Sequence, residues 1–180
     1  MEKEQVISLC DLLGRMKALK RAGWVKRRVK NPESDADHSY SLAILVLLLA
    51  PEYLDLKKCL KLALIHDLPE TYCGDFIPGE IAPEEKMHLE YSAMQKIAAD
   101  LKQPQLLELF AEYEQHSTLE AEFVHTLDRL DNVFTARFYE KKSSLNDLVK
   151  EFANSALPRI EDLKDENLRE ELLKILQILH

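Results

Sequence analysis

Apolar residues recur at intervals of three and four along most of the sequence, and this spacing limits the fold more than any other feature. In the first segment these residues are Val6, Leu9, Leu12, Leu13, Met16 and Leu19. Such spacing places them on one face of an α-helix, whereas a half-buried strand would alternate apolar and polar residues. No alternating segment or internal repeat stands out, and only 4 of the 180 residues are glycine. The sequence therefore predicts an all-α fold.

The length predicts one domain over residues 1–180. A chain of this size buries roughly 70% of the surface that its unfolded form exposes, which is enough for one core without disulfides. The hydrophobic fraction of 46% and charged fraction of 31% are typical of a globular protein and exclude a disordered one.

The first two helices are predicted to flank a loop. The first helix should end near Gly23, and the turn residues before Asp37 predict an ordered loop from Trp24 onward. The second helix is predicted over about residues 37–49, with an acidic helix start at Asp35 or Asp37. It is apolar on nearly every side, which predicts a central buried helix. The later helices are expected from residue 56 to about 68, then at 83–102, 104–114, 117–141, 145–156 and 158–179.

Charge and apolar patterning exclude several classes of partner. The net charge of -8 argues against binding along a nucleic-acid polymer, which requires basic stripes. The longest apolar run, residues 42–50, is about half the length of a membrane span, and the N-terminus has no apolar signal region. The three cysteines are far apart and form no C-x-x-C pair, which favours reduced thiols. We therefore expect a cytoplasmic protein that does not span a membrane.

One short basic stretch stands apart from this acidic background. Residues 15–30 hold a third of the Lys and Arg residues, namely Arg15, Lys17, Lys20, Arg21, Lys26, Arg27, Arg28 and Lys30. This stretch is either a solvated face or an arm that binds an anion.

Several potential metal ligands occur together near residue 66. His66 and Asp67 offer an imidazole nitrogen and a carboxylate oxygen, and Glu70 lies on the same helical face as Asp67. Asp75 follows in a loop that contains Gly74, where the backbone can approach a ligand closely. We expect these side chains to meet in one small volume.

Two more polar residues, His38 and Asp128, lie beside apolar helical stretches. Buried charged groups need a partner, and a divalent cation would satisfy both residues. Mixed imidazole and carboxylate ligands suit Mn, Fe, Co, Ni or Zn without choosing among them. The alternative is a hydrogen-bonded polar cluster without metal. His125 is expected to be a surface or core histidine, and Asp131 a supporting or surface group.

These motifs, in order, resemble those of the HD-domain metal-dependent phosphohydrolases, whose pattern is H, then HD, then D. The pattern corresponds to His38, His66-Asp67 and Asp128. The sequence is most similar to the HD-domain 5'-deoxynucleotidases, through Gly23-Trp24, Pro32-Glu33-Ser34, Asp37-His38-Ser39 and His66-Asp67-x-x-Glu70-x-x-x-Gly74-Asp75. The resemblance covers roughly residues 5–140, which would form the HD core, with C-terminal helices over about 145–180.

The resemblance implies five or six core helices, one catalytic divalent metal and usually a homodimer. It implies hydrolysis of deoxyribonucleoside 5'-monophosphates, with Glu70 as the catalytic carboxylate and Asp75 as an acid on the substrate side. Trp24 would pack on the sugar and disfavour a 2'-hydroxyl. Some relatives carry a phosphate-binding Arg beside this Trp, but Gly23 stands there, so the role would fall to Arg21, Arg27 or Arg28.

The chemistry of these residue types agrees with such an activity. A bound divalent cation lowers the pKa of its water and offsets phosphoryl charge, and Glu70 could accept the water's proton. Two alternatives remain open: an HD site for a nucleoside triphosphate or guanosine polyphosphate, and a non-catalytic helical interaction module.

Overall fold

The computed structural model describes residues 1–143 and 145–179; Ser144 and His180, the last residue of the predicted C-terminal segment, lie outside the described residues. Over this range the chain forms helices joined by short connections. They are α1 (Lys3–Ala18), α2 (Ala22–Lys26), α3 (Asp35–Leu49), α4 (Leu56–Ile65), α5 (Glu70–Cys73), α6 (Pro83–Asp100), α7 (Gln105–Glu114), α8 (Leu119–Lys142), α9 (Leu148–Glu161) and α10 (Glu166–Leu179).

The all-α prediction is confirmed. Six long helices precede residue 143 and two follow residue 147, in agreement with the predicted core and C-terminal helices. The longest helix, α8, packs against α3, α4, α7, α9 and α10. Its buried apolar side chains form a core with those of α3, α4, α9 and α10, so the C-terminal helices share the core of the preceding ones. A smaller apolar cluster joins α1, α6 and α7.

The segment after α1 differs from the predicted loop. It contains the short helix α2, and Trp24 within it is only 1% exposed. An isolated antiparallel bridge between Lys20 and Ser34 closes this arm, residues 20–34, at its base. The buried ring of Trp24 supplies contacts around which the arm is ordered. The polar, turn-rich sequence of the arm did not reveal these contacts.

The prediction of a buried second helix was wrong. One face of α3 lies in the core through Leu42 and Val46. The opposite face is exposed, with Tyr40 at 68%, Ile44 at 37%, Leu47 at 51% and Leu48 at 73%. An apolar helix surface can thus face outward in an isolated chain. No helix within residues 1–143 and 145–179 combines the length and apolarity needed to cross a membrane.

The predicted boundary at Pro158 was also wrong, because Pro158 lies inside α9. Proline removes one backbone donor, but the helix continues, with the Asp162 N–H donating to the Pro158 carbonyl. Ala156 and Ile160 are fully buried on either side, and this burial outweighs the local cost. The chain instead breaks between α9 and α10.

Candidate metal centre and active site

Three helices deliver the predicted metal ligands to one point. α3 begins at a capping box in which the Ser34 side chain accepts from the Asp37 N–H, and this places His38 in the first turn, facing inward and fully buried. His66 and Asp67 follow directly after the last residue of α4. Asp128 comes from the buried face of α8.

The ligand atoms of these four residues lie close together. The Nε2 atoms of His38 and His66 are 3.3 Å apart. Asp67 Oδ2 lies 3.2 Å from His66 Nε2 and 3.7 Å from His38 Nε2. Asp128 Oδ1 lies 3.0 Å from His38 Nε2. Atoms that share one cation at about 2.0–2.2 Å are separated from each other by roughly 3–3.5 Å. The group of His38, His66 and Asp67 therefore fits a divalent cation, and Asp128 adjoins this group at His38.

Hydrogen bonds to the other ring nitrogens orient both imidazoles. His38 Nδ1 lies 2.8 Å from Asp131 Oδ2, and His66 Nδ1 lies 2.9 Å from the Ala63 carbonyl. Since a carbonyl only accepts, His66 Nδ1 is the donor, and its Nε2 atom faces the cluster. Asp131 is fully buried and also accepts from the Ser41 hydroxyl. It therefore supports His38, one of the two roles predicted for it.

The charges of the cluster suit a cation. Burial acts to raise the pKa of Asp67, but His66 and Arg21 outweigh it and lower that pKa. Burial likewise opposes ionisation of Asp128, and the adjacent His38 imidazole outweighs it, so the pKa of Asp128 is lowered. Both carboxylates stay ionised. Burial and Arg21 act to lower the pKa of His38. Asp128 and Asp131 outweigh them, so the pKa of His38 is raised to about 10. A cation would have to replace this proton.

Glu70 and Asp75 lie beside the ligands, as the sequence predicted. Glu70 begins α5, is buried, and its Oε2 has no hydrogen-bond partner. Gly74 ends α5 with φ of 91°, a conformation that favours glycine. The chain then turns so that Asp75 Oδ2 accepts from the Ala22 N–H at 2.6 Å. Asp75 thus connects this loop to the start of α2.

Arg21 is the cation that these carboxylates share. Its Nη1 lies 2.9 Å from Asp67 Oδ2, 3.6 Å from Glu70 Oε2 and 4.0 Å from Asp75 Oδ2. Burial acts to lower the pKa of Arg21, but the surrounding carboxylates raise it well above its usual value. The guanidinium therefore remains charged at the boundary between the metal ligands and the basic arm.

Sequence reasoning missed the burial of Asp35, which it treated as a helix-start residue. Asp35 is fully buried, and neither of its carboxylate oxygens has a hydrogen-bond partner among the described residues. Burial and the charge of Asp67 raise the pKa of Asp35 to about 7. One carboxylate oxygen from each of Asp35, Glu70 and Asp75 lies within 4.8 Å of the other two, so this group could also hold a cation. The signal was the spacing of three residues between Asp35 and His38, which places both on one helical face.

Two neighbouring cavities open at this site. The first, of about 350 Å³, is bordered by His66, Asp67, Glu70 and Asp128. The second, of about 530 Å³, lies between the arm, α8 and α9. Arg21, Asp75, the segment 76–78 and Arg129 border both. We call these the metal cavity and the second cavity.

The predicted substrate residues occupy different positions around the second cavity. Trp24 borders it, but its indole packs on Tyr139 and Phe152, with Nε1 donating to Glu33 at 2.8 Å. Arg27 also borders it and is held by Glu151 and the Gly23 carbonyl. Arg28 is exposed, its backbone has a φ of 57°, and it borders neither cavity.

Arg129, which directly follows the predicted ligand Asp128, was not predicted from the sequence as a site residue. Its side chain is 39% exposed, and its Nε lies 3.9 Å from Asp128 Oδ2. The position between the two cavities gives it access to an anion beside the metal ligands. The sequence signal for Arg129 was its position: it is a basic residue next to a predicted metal ligand, on a segment of α8 that is otherwise buried.

His125 also borders the metal cavity but does not join a second metal site. Its ring packs edge-on against His116, with ring centroids 4.0 Å apart, and near Tyr113. Burial lowers the pKa of His125 to about 3, so it is a neutral, partly buried histidine. Among the described residues, the side-chain groups able to hold a metal do not include it. The expectation of a core or surface histidine agrees with this placement.

The fold and site together define a class: a helical protein in which a buried His, a His-Asp pair and an Asp lie together, with a His/Asp group that could hold a metal ion. The family model described as "HD domain" matches residues 13–175. This chain belongs to the HD domain family, as its motifs predicted.

Individual relatives agree with that assignment. The chain is 36% identical over 154 residues to 5'-deoxynucleotidase HDDC2 of Bos taurus, covering 83% of this chain and 75% of the relative. A solved structure from Pyrococcus horikoshii is similar, with a TM-score of 0.84, 30% identity and coverage of 97% and 99% of the two chains. A conserved hypothetical protein from Pyrococcus furiosus gives a TM-score of 0.81 and 36% identity, with coverage of 95% and 98%.

Proposed function

We propose that this protein hydrolyses deoxyribonucleoside 5'-monophosphates to nucleoside and phosphate. The observation that carries the proposal is the convergence of His38, His66, Asp67 and Asp128 beside the buried carboxylate of Glu70. The name of the Bos taurus relative, which covers most of the chain, supports the substrate class.

The proposed cofactor is one divalent cation bound by His38, His66, Asp67 and Asp128. The ligand types suit Mn, Fe, Co, Ni or Zn. When bound, such an ion would supply an activated water and offset charge on the phosphoryl oxygens. A measured content of two ions per chain would contradict the single-ion proposal and would favour an additional ion at Asp35, Glu70 and Asp75.

Glu70 is proposed as the general base. Burial and the neighbouring Asp67 raise the pKa of Glu70 well above its ordinary value. A carboxylate whose pKa is raised accepts a proton from water more readily than an ordinary carboxylate does. Its Oε2 accepts no hydrogen bond from the described residues, with Arg21 Nη1 3.6 Å away, so that atom is available to a water molecule.

Arg21 and Arg129 are proposed to bind the phosphate from opposite walls. Both side chains border the metal cavity, and a guanidinium can donate two parallel hydrogen bonds to phosphate oxygens. Arg129→Gln should raise KM for a deoxynucleotide by about tenfold. Arg28→Gln is the matched control, because Arg28 borders neither cavity. An equal effect of both changes would point to general charge attraction.

Asp75 and Trp24 are proposed to act on the sugar side of the substrate. Asp75 borders both cavities, and Trp24 contributes to the wall of the second one. A rigid wall at this point would favour a sugar without a 2'-hydroxyl.

The decisive experiment is a substrate panel with metal-loaded protein. Deoxy- and ribonucleoside mono- and triphosphates, with a guanosine polyphosphate, are tested for released phosphate or pyrophosphate. Phosphate from deoxyribonucleoside monophosphates alone supports the proposal. Turnover of triphosphates or polyphosphates instead would assign a different substrate, and a metal-bound protein that hydrolyses none would be an interaction module.

We also propose that residues 1–180 act as one HD domain, that the protein works in the cytoplasm and that it forms a homodimer. The exposed apolar face of α3 supports the dimer: no charged residue other than the buried His38 occurs between Asp37 and Glu52. Such a face can pack against its own copy around a twofold axis.

A further inference from the structure

The second cavity is bordered by aromatic rings from three separate parts of the chain. Trp24 comes from α2, Phe76 from the loop after α5, and Phe152 from α9. Its volume of about 530 Å³ falls within the range of small-molecule sites. Neither the HD ligands nor Glu70 border it, so the reaction itself does not account for this cavity.

The second cavity shares a wall with the metal cavity. Arg21, Asp75 and Arg129 border both, so a phosphate held between the two arginines would be in reach of either space. Beyond the shared residues, the lining of the metal cavity carries the Lys86–Glu90 ion pair, the carboxylate of Glu114 and the ring of Tyr113. The second cavity instead adds the rings of Trp24 and Phe152 to its lining, and it is therefore the better match for a nucleoside.

From this geometry we infer that the second cavity is the nucleoside subsite and that α9 forms its base-binding wall. The inference rests on the proposed deoxynucleotidase function and deepens it. The base contacts Phe152, and the sugar lies near Trp24 and Asn132. The base is thus recognised by α9, a helix that follows the last HD motif residue, Asp128, in the sequence.

Phe152 presents a ring of fixed orientation to this cavity. Its centroid lies 4.7 Å from that of Trp24, and the Arg27 guanidinium lies 4.8 Å from the ring. Arg27 is itself held by Glu151, one residue before Phe152. A nucleobase stacks on such a ring because every base has a π-face, and each stacked base contributes substantially to binding.

Asn132 adds a polar contact near the phosphate. Its Nδ2 donates to the Asp128 carbonyl at 2.9 Å, which fixes the amide and leaves Oδ1 as an acceptor. Asn132 borders the second cavity one helical turn after Asp128. An acceptor one helical turn from Asp128 suits a hydroxyl donor on the sugar.

The test fills the cavity from α9. Ser155 is exposed and borders the second cavity, whereas the adjacent Asn154 is exposed and borders neither cavity. Ser155→Trp should raise KM for each of the four deoxyribonucleoside monophosphates by about tenfold or more, since it occupies the space of the base. It should change KM for 2-deoxyribose 5-phosphate, which lacks a base, less than about twofold. Asn154→Trp should change neither.

A second variant covers the case in which Ser155→Trp does not fold. Phe152→Leu keeps an apolar side chain but removes the stacking surface, and it should raise KM for deoxynucleotides and leave 2-deoxyribose 5-phosphate unaffected. Unchanged KM values for deoxynucleotides in both folded variants, or equal increases for both substrates, would overturn the inference.

The outcome is separable from that of the proposed function. An active wild type with unaffected variants rejects the subsite alone. A wild type that hydrolyses no deoxynucleotide rejects the proposed function. In that case binding of thymidine to wild type and Ser155→Trp, measured by calorimetry, still decides: thymidine binding lost only in the variant supports the subsite, and no binding to wild type rejects it.

Discussion

Asp67 and Glu70 are three residues apart, both buried, and their carboxyl groups are under opposite electrostatic influences. His66 and Arg21 overcome the effect of burial and lower the pKa of Asp67. Burial and the charge of Asp67 raise the pKa of Glu70. Two carboxyl groups with pKa values displaced in opposite directions can take different roles, one as a ligand and one as a proton acceptor.

Glu70→Ala should therefore keep its metal and lose at least about a hundredfold in kcat, because a general base of this kind contributes roughly that much. Asp67→Ala should lose both metal and turnover. Metal content by mass spectrometry and initial rates separate the two variants. A fully active Glu70→Ala enzyme would remove Glu70 from the mechanism.

Asp131→Asn tests how His38 is held. Asp131 Oδ2 lies 2.8 Å from His38 Nδ1 and is fully buried. Removing its charge should weaken metal binding about 10- to 100-fold, as is usual for groups that orient a ligand imidazole. Titration with Mn²⁺ followed by calorimetry measures this change.

Asp162→Asn, at an exposed position after α9, is the control for Asp131→Asn and should bind metal like the wild type. Equal affinity in Asp131→Asn and wild type would mean that the ring of His38 is held by its packing alone.

The proposed metal ligands could be predicted from the sequence because few kinds of partner can satisfy their side chains when they are buried. A buried histidine and aspartate require a partner wherever they lie, and the ordered motifs supplied the remaining information. Asp35 and Arg129 were not identified as site residues, since their importance depends on distances between helices that are far apart in the sequence. Single-residue chemistry identifies candidates, and only packing shows which other groups face them.

At the scale of the helix, α3 has two faces that differ in burial. One face presents His38 to the site, and the other exposes Tyr40, Ile44, Leu47 and Leu48. Patches of this kind usually mark an interaction surface.

Leu48→Lys should convert the proposed dimer to a monomer, because it places a charge in the centre of an apolar contact. Size-exclusion chromatography with light scattering measures the mass. Ile178→Lys on α10 is a matched control, since Ile178 is 81% exposed and lies on another helix. A wild type that is monomeric at all concentrations would reject the dimer.

Most helix positions followed from apolar periodicity, but two features did not. α2 exists because Trp24 is buried against residues far along the chain, which no local pattern encodes. Pro158 is retained within α9 because flanking residues are buried in the core. In both cases tertiary contacts overrode local preferences. The burial of α3 was overestimated because an apolar sequence does not show which of its residues remain exposed.

At the scale of the whole molecule, metal binding should be linked to global stability. The ligands come from α3, from the end of α4 and from α8, helices that pack on one another. A ligand that binds only the folded state at a hundredfold excess over Kd stabilises it by about 2.7 kcal/mol. For a chain of this length that corresponds to a rise in Tm of roughly 5–11 °C.

Differential scanning calorimetry with and without a chelator measures this shift. Asp128→Asn should reduce it strongly. A shift of full size in that variant would place the cation elsewhere, with the carboxylates of Asp35, Glu70 and Asp75 as the first alternative.

The bridge between Lys20 and Ser34 has a consequence for how this molecule can change over evolutionary time. The chain enters and leaves the arm at adjacent points, and Ser34 caps the helix that carries His38. The tip of the arm, around Arg28 and Asn31, can therefore gain or lose residues while His38 stays in register. Changes in the length of the arm are in this way uncoupled from the geometry of the His38, His66 and Asp67 group.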